Sequence, residues 1–146
     1  MSIWHGTPSL EAINAAGART MTRHLGIVFT EVGEDFIRAA MPVDERTHQP
    51  YGLLHGGASV SLAETVGSTA ASLCIDPQRF ACVGQDINAN HLRPVRSGQV
   101  TGTARPVHIG RRSHVWAIEI ESEAGLLVCV SRLTMAILER ERLLGR

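Results

Sequence analysis

The sequence predicts an α+β fold in which an antiparallel sheet wraps one long central helix. Three observations carry the prediction. Residues 57–75 are apolar or small almost without interruption, residues 81–138 break into four strand-like runs with short separators, and two further strand-like runs flank a turn near residue 33. A helix that is apolar nearly all round is normally enclosed, so the strands are expected to surround it as one domain over residues 1–146.

Residues 9–24 carry Leu10, Ile13, Ala16 and Met21 at near-helical spacing, with Ser9 placed to cap the first turn and Glu11 within it. This predicts a short helix covering an opening or an edge. Residues 26–32 and 36–43 read as strands around Gly33-Glu34-Asp35, a suitable hairpin turn. Residues 44–54, marked by Pro50 and Gly52, form a loop that leads into the helix over 57–75. After Asp76-Pro77, strands are predicted at 81–92, 99–107, 114–121 and 126–138. The separators Arg96-Ser97-Gly98, Ile109-Gly110-Arg111-Arg112 and Glu123-Ala124-Gly125 are short enough for an antiparallel meander. One enclosed helix within a curved antiparallel sheet is the hotdog arrangement, and its edge strands favour dimerisation.

Composition narrows the function. Fourteen basic and fourteen acidic residues cancel in a chain of 146, so no global field draws the protein to nucleic acid or to an anionic membrane. All the basic residues are arginine, a side chain suited to bidentate phosphate contacts, although a biased genome composition gives the same result. Cys74, Cys82 and Cys129 lie in apolar surroundings without the close pairing of zinc or redox motifs, and read as reduced core residues. Neither a secretory leader nor an apolar run of membrane-spanning length is evident. A cytoplasmic protein is expected.

The chemistry centres on Glu64, the only charged residue between His55 and Asp76. An ionised carboxylate withdrawn from water must be paired, neutralised or used, so Glu64 either faces solvent, makes a structural pair or does chemistry. Ser68 is four residues on, so the two side chains share a helix face and can hold a water between them, unless the hydroxyl bonds its own backbone. Where loop becomes helix stands Leu53-Leu54-His55-Gly56-Gly57-Ala58. The first amides of that helix, those of Gly56 and Gly57, are expected to face outward at the positive end of its dipole, with Gln49 and His55 as nearby donors; a plain tight turn is the other reading. Gly56 and Glu64 are separated by about 12 Å along one helix at 1.5 Å per residue. One substrate carbonyl can therefore meet both only if they come from different subunits.

A second cluster joins Asn88, Asn90, His91 and Arg93 with the turn Gly110-Arg111-Arg112-Ser113-His114. Two arginines beside glycine and serine can grip a phosphate, or form a solvated hairpin tip. His108 and His114 lack further ligands, so no metal site is expected.

Across nearly its whole length the chain resembles the hotdog-fold acyl-CoA thioesterases of the phenylacetate-degradation type. The resemblance runs from Leu10-Glu11-Ala12-Ile13-Asn14 to Ser131-Arg132-Leu133-Thr134. It centres on Met41-Pro42-Val43-Asp44, on Gln49-Pro50-Tyr51-Gly52-Leu53-Leu54-His55-Gly56-Gly57-Ala58-Ser59 and on Leu62-Ala63-Glu64, with Ile87-Asn88-Ala89-Asn90-His91 and Val115-Trp116 beyond. It implies hydrolysis of a thioester, preferably of an aromatic acyl-CoA, by a homotetramer, a dimer of dimers, that needs no cofactor because coenzyme A belongs to the substrate. By resemblance, Glu64 is the general base or the nucleophile. The Gly56 amide polarises the carbonyl with Gln49 and His55, and Ser68 orients water. His91, Arg93, Gly110, Arg111, Arg112, Ser113 and His114 meet the nucleotide end of coenzyme A. Val60, Thr65, Met21 and Phe80 are expected pocket walls, and an acyl carrier protein could deliver the acyl group instead of coenzyme A. A hotdog dehydratase or hydratase and a non-catalytic acyl-CoA sensor are the alternatives.

Overall fold

Alternation along each strand decides which side chains meet the helix. On β5 (Ser113–Ser122) the residues His114, Trp116, Ile118 and Ile120 are all buried, as the two-residue period of a half-covered strand requires. The same rhythm places Ile37, Ala39 and Met41 of β2 (Ile37–Pro42) and Leu133, Met135 and Ile137 of β6 (Leu127–Glu139) inward. With β1 (Val28–Val32), β3 (Phe80–His91) and β4 (Gln99–Ile109) these strands form one antiparallel sheet in the order β1-β2-β4-β5-β6-β3. This computed structural model describes residues 1–145.

The central helix, α3 (Gly56–Leu73), lies on the inner face of the sheet. It buries Ala58, Ser59, Leu62, Ala63, Val66, Gly67, Ala70 and Ala71. Its opposite side, with Ser61, Glu64, Thr65, Ser68 and Thr69, is only half-buried. The enclosure expected from composition is thus one-sided within a protomer, and small polar residues occupy the open face.

Two sequence expectations are corrected, and one element is added. The run 9–24 is two helices, α1 (Leu10–Ala16) and α2 (Met21–His24). The Thr20 hydroxyl donates to the Gly17 carbonyl at 2.8 Å and accepts from the Thr22 amide at 3.3 Å, which ends one helix and caps the next. The meander holds for β4, β5 and β6, but β3 lies at the far edge, paired with β6 from Phe80↔Glu139 to His91↔Cys129. The segment after β3 then crosses under the start of α3, where Val95 accepts from the Leu54 amide at 2.7 Å. Finally, a short helix, α4 (Arg140–Leu144), follows β6.

The two sheet edges differ. Along β1, the Asn14 side chain of α1 donates to the Phe29 carbonyl at 3.0 Å and accepts from the Phe29 amide at 2.9 Å, filling one strand-pairing position. At the other edge β3 runs for twelve residues, has Asp86 as its only carboxylate, and among the described residues pairs with no strand other than β6. An edge of this kind is open to pairing. No helix among the described residues is long and apolar enough to cross a membrane.

Candidate active site

A pocket of about 300 Å³ opens at the N-terminal end of α3, walled by Gln49, Leu54, Gly56, Ser59, His91 and Arg93 among others. Loop, helix and the last residue of β3 therefore meet at one point. The amides here are not equivalent. The Gly57 amide, expected to face outward, donates to Nδ1 of His55 at 2.8 Å, a correction that leaves the Gly56 amide as the free one. The same bond fixes the neutral His55 ring with its proton on Nε2, because Nδ1 acts as the acceptor. Gln49 is oriented likewise: its Oε1 accepts from the Tyr51 amide, which frees its NH₂ group to donate elsewhere. Three hydrogen-bond donors, Gly56 N–H, His55 Nε2–H and Gln49 NH₂, thus belong to this one loop-to-helix junction. His91 closes against it, since a β-carbon on Gly56 would lie 2.8 Å from His91 Nε2.

Glu64 is not on the wall of this pocket. It stands two turns further along α3, and its carboxylate is tucked against Gly84 of β3 in the space a side chain there would take. Gly84 adjoins a register shift in the β3–β6 ladder, between Gly84 and Asp86, a local bulge that bends the strand. Burial raises the Glu64 pKa from its ordinary value, and no salt bridge to it occurs among the described residues. Of the three readings open from sequence, the structural ion pair is thus not made among the described residues of one protomer. Ser68 donates to the Thr65 carbonyl at 3.3 Å, so its hydroxyl proton is used locally while its oxygen can still accept.

The second cluster divides. His91 and Arg93 sit at the N-terminal end of α3, where Arg93 donates to the Leu127 carbonyl at 2.7 Å. Gly110, Arg111, Arg112 and His114 instead line a cleft of about 1120 Å³ at the other end of the helix, with Cys74, Arg79, Phe80 and Arg142. Within one protomer the two groups do not meet. Arg111 and Arg112 are exposed and free of carboxylate partners among the described residues. Ser113 holds the turn closed, its carbonyl accepting from the Gly110 amide at 2.9 Å. His114, expected to meet the ligand, is instead only 1% exposed, and that burial lowers its pKa.

The expected pocket walls are likewise scattered. Phe80 lines the large cleft, Thr65 faces a groove of about 570 Å³ beneath α1, Val60 is half-buried, and Met21 is exposed on α2. Gly84 and Arg79 escaped the sequence reading. A glycine inside a strand-like run signals close approach of another group, and it is the mark by which Gly84 could have been found.

The fold and this constellation define a class. Residues 51–129 match the thioesterase superfamily, and the chain belongs to that superfamily: it is a hotdog-fold thioester hydrolase. It is 53% identical over 136 residues to the 1,4-dihydroxy-2-naphthoyl-CoA hydrolase of Escherichia coli, covering 93% of this chain and 99% of that protein. Identity to the proofreading thioesterase EntH of Cronobacter sakazakii is 52% over 136 residues, with 93% and 98% covered. Among solved structures, a mutant thioesterase from Pseudomonas aeruginosa superposes with a TM-score of 0.93 at 50% identity, over 94% of this chain and 99% of that one. A thioesterase from Haemophilus influenzae gives 0.91 at 52% identity, over 94% and 95%.

Proposed function

We propose that the protein hydrolyses acyl-CoA thioesters with an aromatic acyl group, at a site built from two copies of the chain. The observation that carries this reading is the separation of the donors around Gly56 from the carboxylate of Glu64. Antiparallel pairing of two β3 edges about a two-fold axis between Ile87 and Asn88 would set Gly84 of one copy opposite His91 of the other. Glu64 then approaches the donor junction of its neighbour, and Arg93 approaches the neighbour's Arg111-Arg112 turn. One register thus unites both halves of the catalytic set and both halves of the nucleotide-binding set, which supports a shared site. Dimers of this kind would assemble further into a tetramer.

In the reaction, the thioester carbonyl accepts from Gly56 N–H, His55 Nε2–H and Gln49 NH₂, which stabilise the negative charge that develops on its oxygen. Glu64 acts by one of two routes. As a general base it takes a proton from water held at Ser68; the water oxygen bonds to the carbonyl carbon, the C–S bond breaks, and the proton passes to the leaving thiolate. As a nucleophile its carboxylate displaces the thiolate to give an anhydride, which water then cleaves. Either route needs only water besides the thioester, and an acyl carrier protein would present the same thioester as coenzyme A. A single turnover in ¹⁸O-water separates the routes, because only anhydride cleavage can leave the label in Glu64.

The primary test is thiol release from a panel of aromatic and aliphatic acyl-CoAs, with Glu64→Gln beside the wild type. Rapid hydrolysis of an aromatic ester that falls by at least about 10²-fold in the variant supports the reading. Turnover that survives the substitution removes Glu64 from the mechanism. Tight acyl-CoA binding without hydrolysis would point to a sensor.

A further inference from the structure

The large cleft has a second lip that the site described above does not use. One lip is the turn carrying Arg111 and Arg112, tied to β6 through the Arg112 carbonyl, which accepts from the Ile137 amide at 2.9 Å. Across the end of β6 stands the start of β3, where Phe80 pairs with Glu139 and the Arg79 carbonyl accepts from the Arg140 amide at 3.0 Å. Because β5 and β3 flank β6, the two lips stand on the order of 10 Å apart, two strand spacings. Arg79 and Phe80 both line the cleft. The Arg79 side chain is exposed, with its guanidinium 5.0 Å from the centroid of the Phe80 ring, and its backbone is fixed because the amides of Arg79 and Phe80 both donate to the Asp76 carbonyl, at 3.2 and 2.9 Å. The two carboxylates of the wall are engaged elsewhere: Asp76 accepts from the Gln78 amide at 2.9 Å, and Glu139 pairs with Arg142 at 3.5 Å. Arg79 makes no ion pair among the described residues. The cleft therefore presents unneutralised guanidinium groups on two separate lips.

We propose that Arg79 grips the 3′-phosphate of coenzyme A, while the Arg111-Arg112 turn takes the pyrophosphate. This rests on the reading above, that the turn meets the nucleotide end of the substrate. The nucleotide carries two anionic groups at different carbons of one ribose, so it matches two basic lips where a single phosphate would match one. Under the same reading, Arg93 of the partner subunit, two residues from the His91 that closes the donor junction, approaches the turn. The turn is thus on the thioester side of the cleft and Arg79 on the far side, in the order in which coenzyme A presents its phosphates. Phe80 braces the guanidinium by a cation–π contact, and a planar guanidinium can hold a phosphate through two parallel hydrogen bonds.

The test compares three substrates with the same acyl group: the acyl-CoA, the acyl-dephospho-CoA, which lacks only the 3′-phosphate, and the acyl-pantetheine, which lacks the nucleotide. Wild type is expected to show a KM for the acyl-CoA about tenfold below that for the acyl-dephospho-CoA, the worth of one charge-assisted contact. Arg79→Ala is expected to raise the acyl-CoA KM to the dephospho value with kcat nearly kept, as loss of binding common to ground and transition states predicts, and to leave the acyl-dephospho-CoA KM as it was. Arg79→Lys, which keeps the charge and loses the fork, is expected to retain part of the preference. An unchanged acyl-CoA KM in Arg79→Ala, or equal rises for acyl-CoA and acyl-dephospho-CoA, overturns the proposal. The double variant Arg111→Ala/Arg112→Ala separates the two levels, since it is expected to raise KM for both nucleotide-bearing substrates and not for the acyl-pantetheine. If it moves none of the three, the nucleotide reading has failed; if it behaves as expected while Arg79→Ala changes nothing, only the 3′-phosphate assignment has failed.

Discussion

The carboxylate of Glu64 occupies the space that a side chain on Gly84 would need. The two residues come from different elements, α3 and β3, and their contact depends on the strand lacking a β-carbon where the helix leans against it. Gly84→Ala should therefore act on chemistry and spare the fold, because what must move is the end of a flexible side chain. A displacement of about 1 Å can cost on the order of 10²-fold in rate, and kcat should fall by that order while the melting temperature barely changes. A variant with wild-type kcat would mean that the Glu64 position is not set by this contact.

Burial raises the Glu64 pKa in the folded protein. The sign follows: a carboxyl whose folded pKa is raised favours folding when protonated, and that advantage is lost as pH rises through the folded pKa. Glu64→Gln has no charge to desolvate, so it should be more stable than the wild type at pH 8, with the difference shrinking toward pH 4. Thermal melts of both proteins across that range check this. A constant or reversed difference would show that the ionised carboxylate is well solvated.

Subunit complementation tests the shared site. Glu64→Ala removes the base, and Gly56→Pro removes the amide at a helix position where proline is otherwise tolerated. Each alone should be inactive. Mixed by co-refolding, they should recover about a quarter of the wild-type activity, since in a two-fold dimer each mixed pair carries one intact site. Mixed oligomers that form and remain dead count against the composite site.

Asn14→Ala removes both hydrogen bonds to Phe29 and exposes the β1 edge. At about 1 kcal/mol for each hydrogen bond, the loss should be about 2 kcal/mol, read from denaturant midpoints. A change below a few tenths would show that water replaces the amide at no cost.

Much of this was legible in the sequence, though unevenly. The α3 run and the isolated Glu64 stood out because no other stretch combines small residues with a single charge. The Thr20 break was not visible, since one hydroxyl bonding both backward and forward does not disturb the apolar spacing. The place of β3 beside β6 is a matter of chain routing, which local pattern does not encode. His114 had a usable signal: taken with the turn it is expected at the ligand, but its parity with Trp116, Ile118 and Ile120 assigns it to the inner face. The site itself was only half readable, because Gly56 and Glu64 declare their chemistry in sequence whereas the glycine behind the carboxylate carries no chemistry of its own.

The closed margin along β1 bears on how far the protein can polymerise. A sheet with two free margins can add copies without end, in the manner of a fibre. Here Asn14 fills a pairing position at Phe29, in the middle of one short margin, so that continuous strand addition is interrupted there and association proceeds through the other. Assembly by that route is self-terminating, and a side-chain amide on a seven-residue helix acts as its stop.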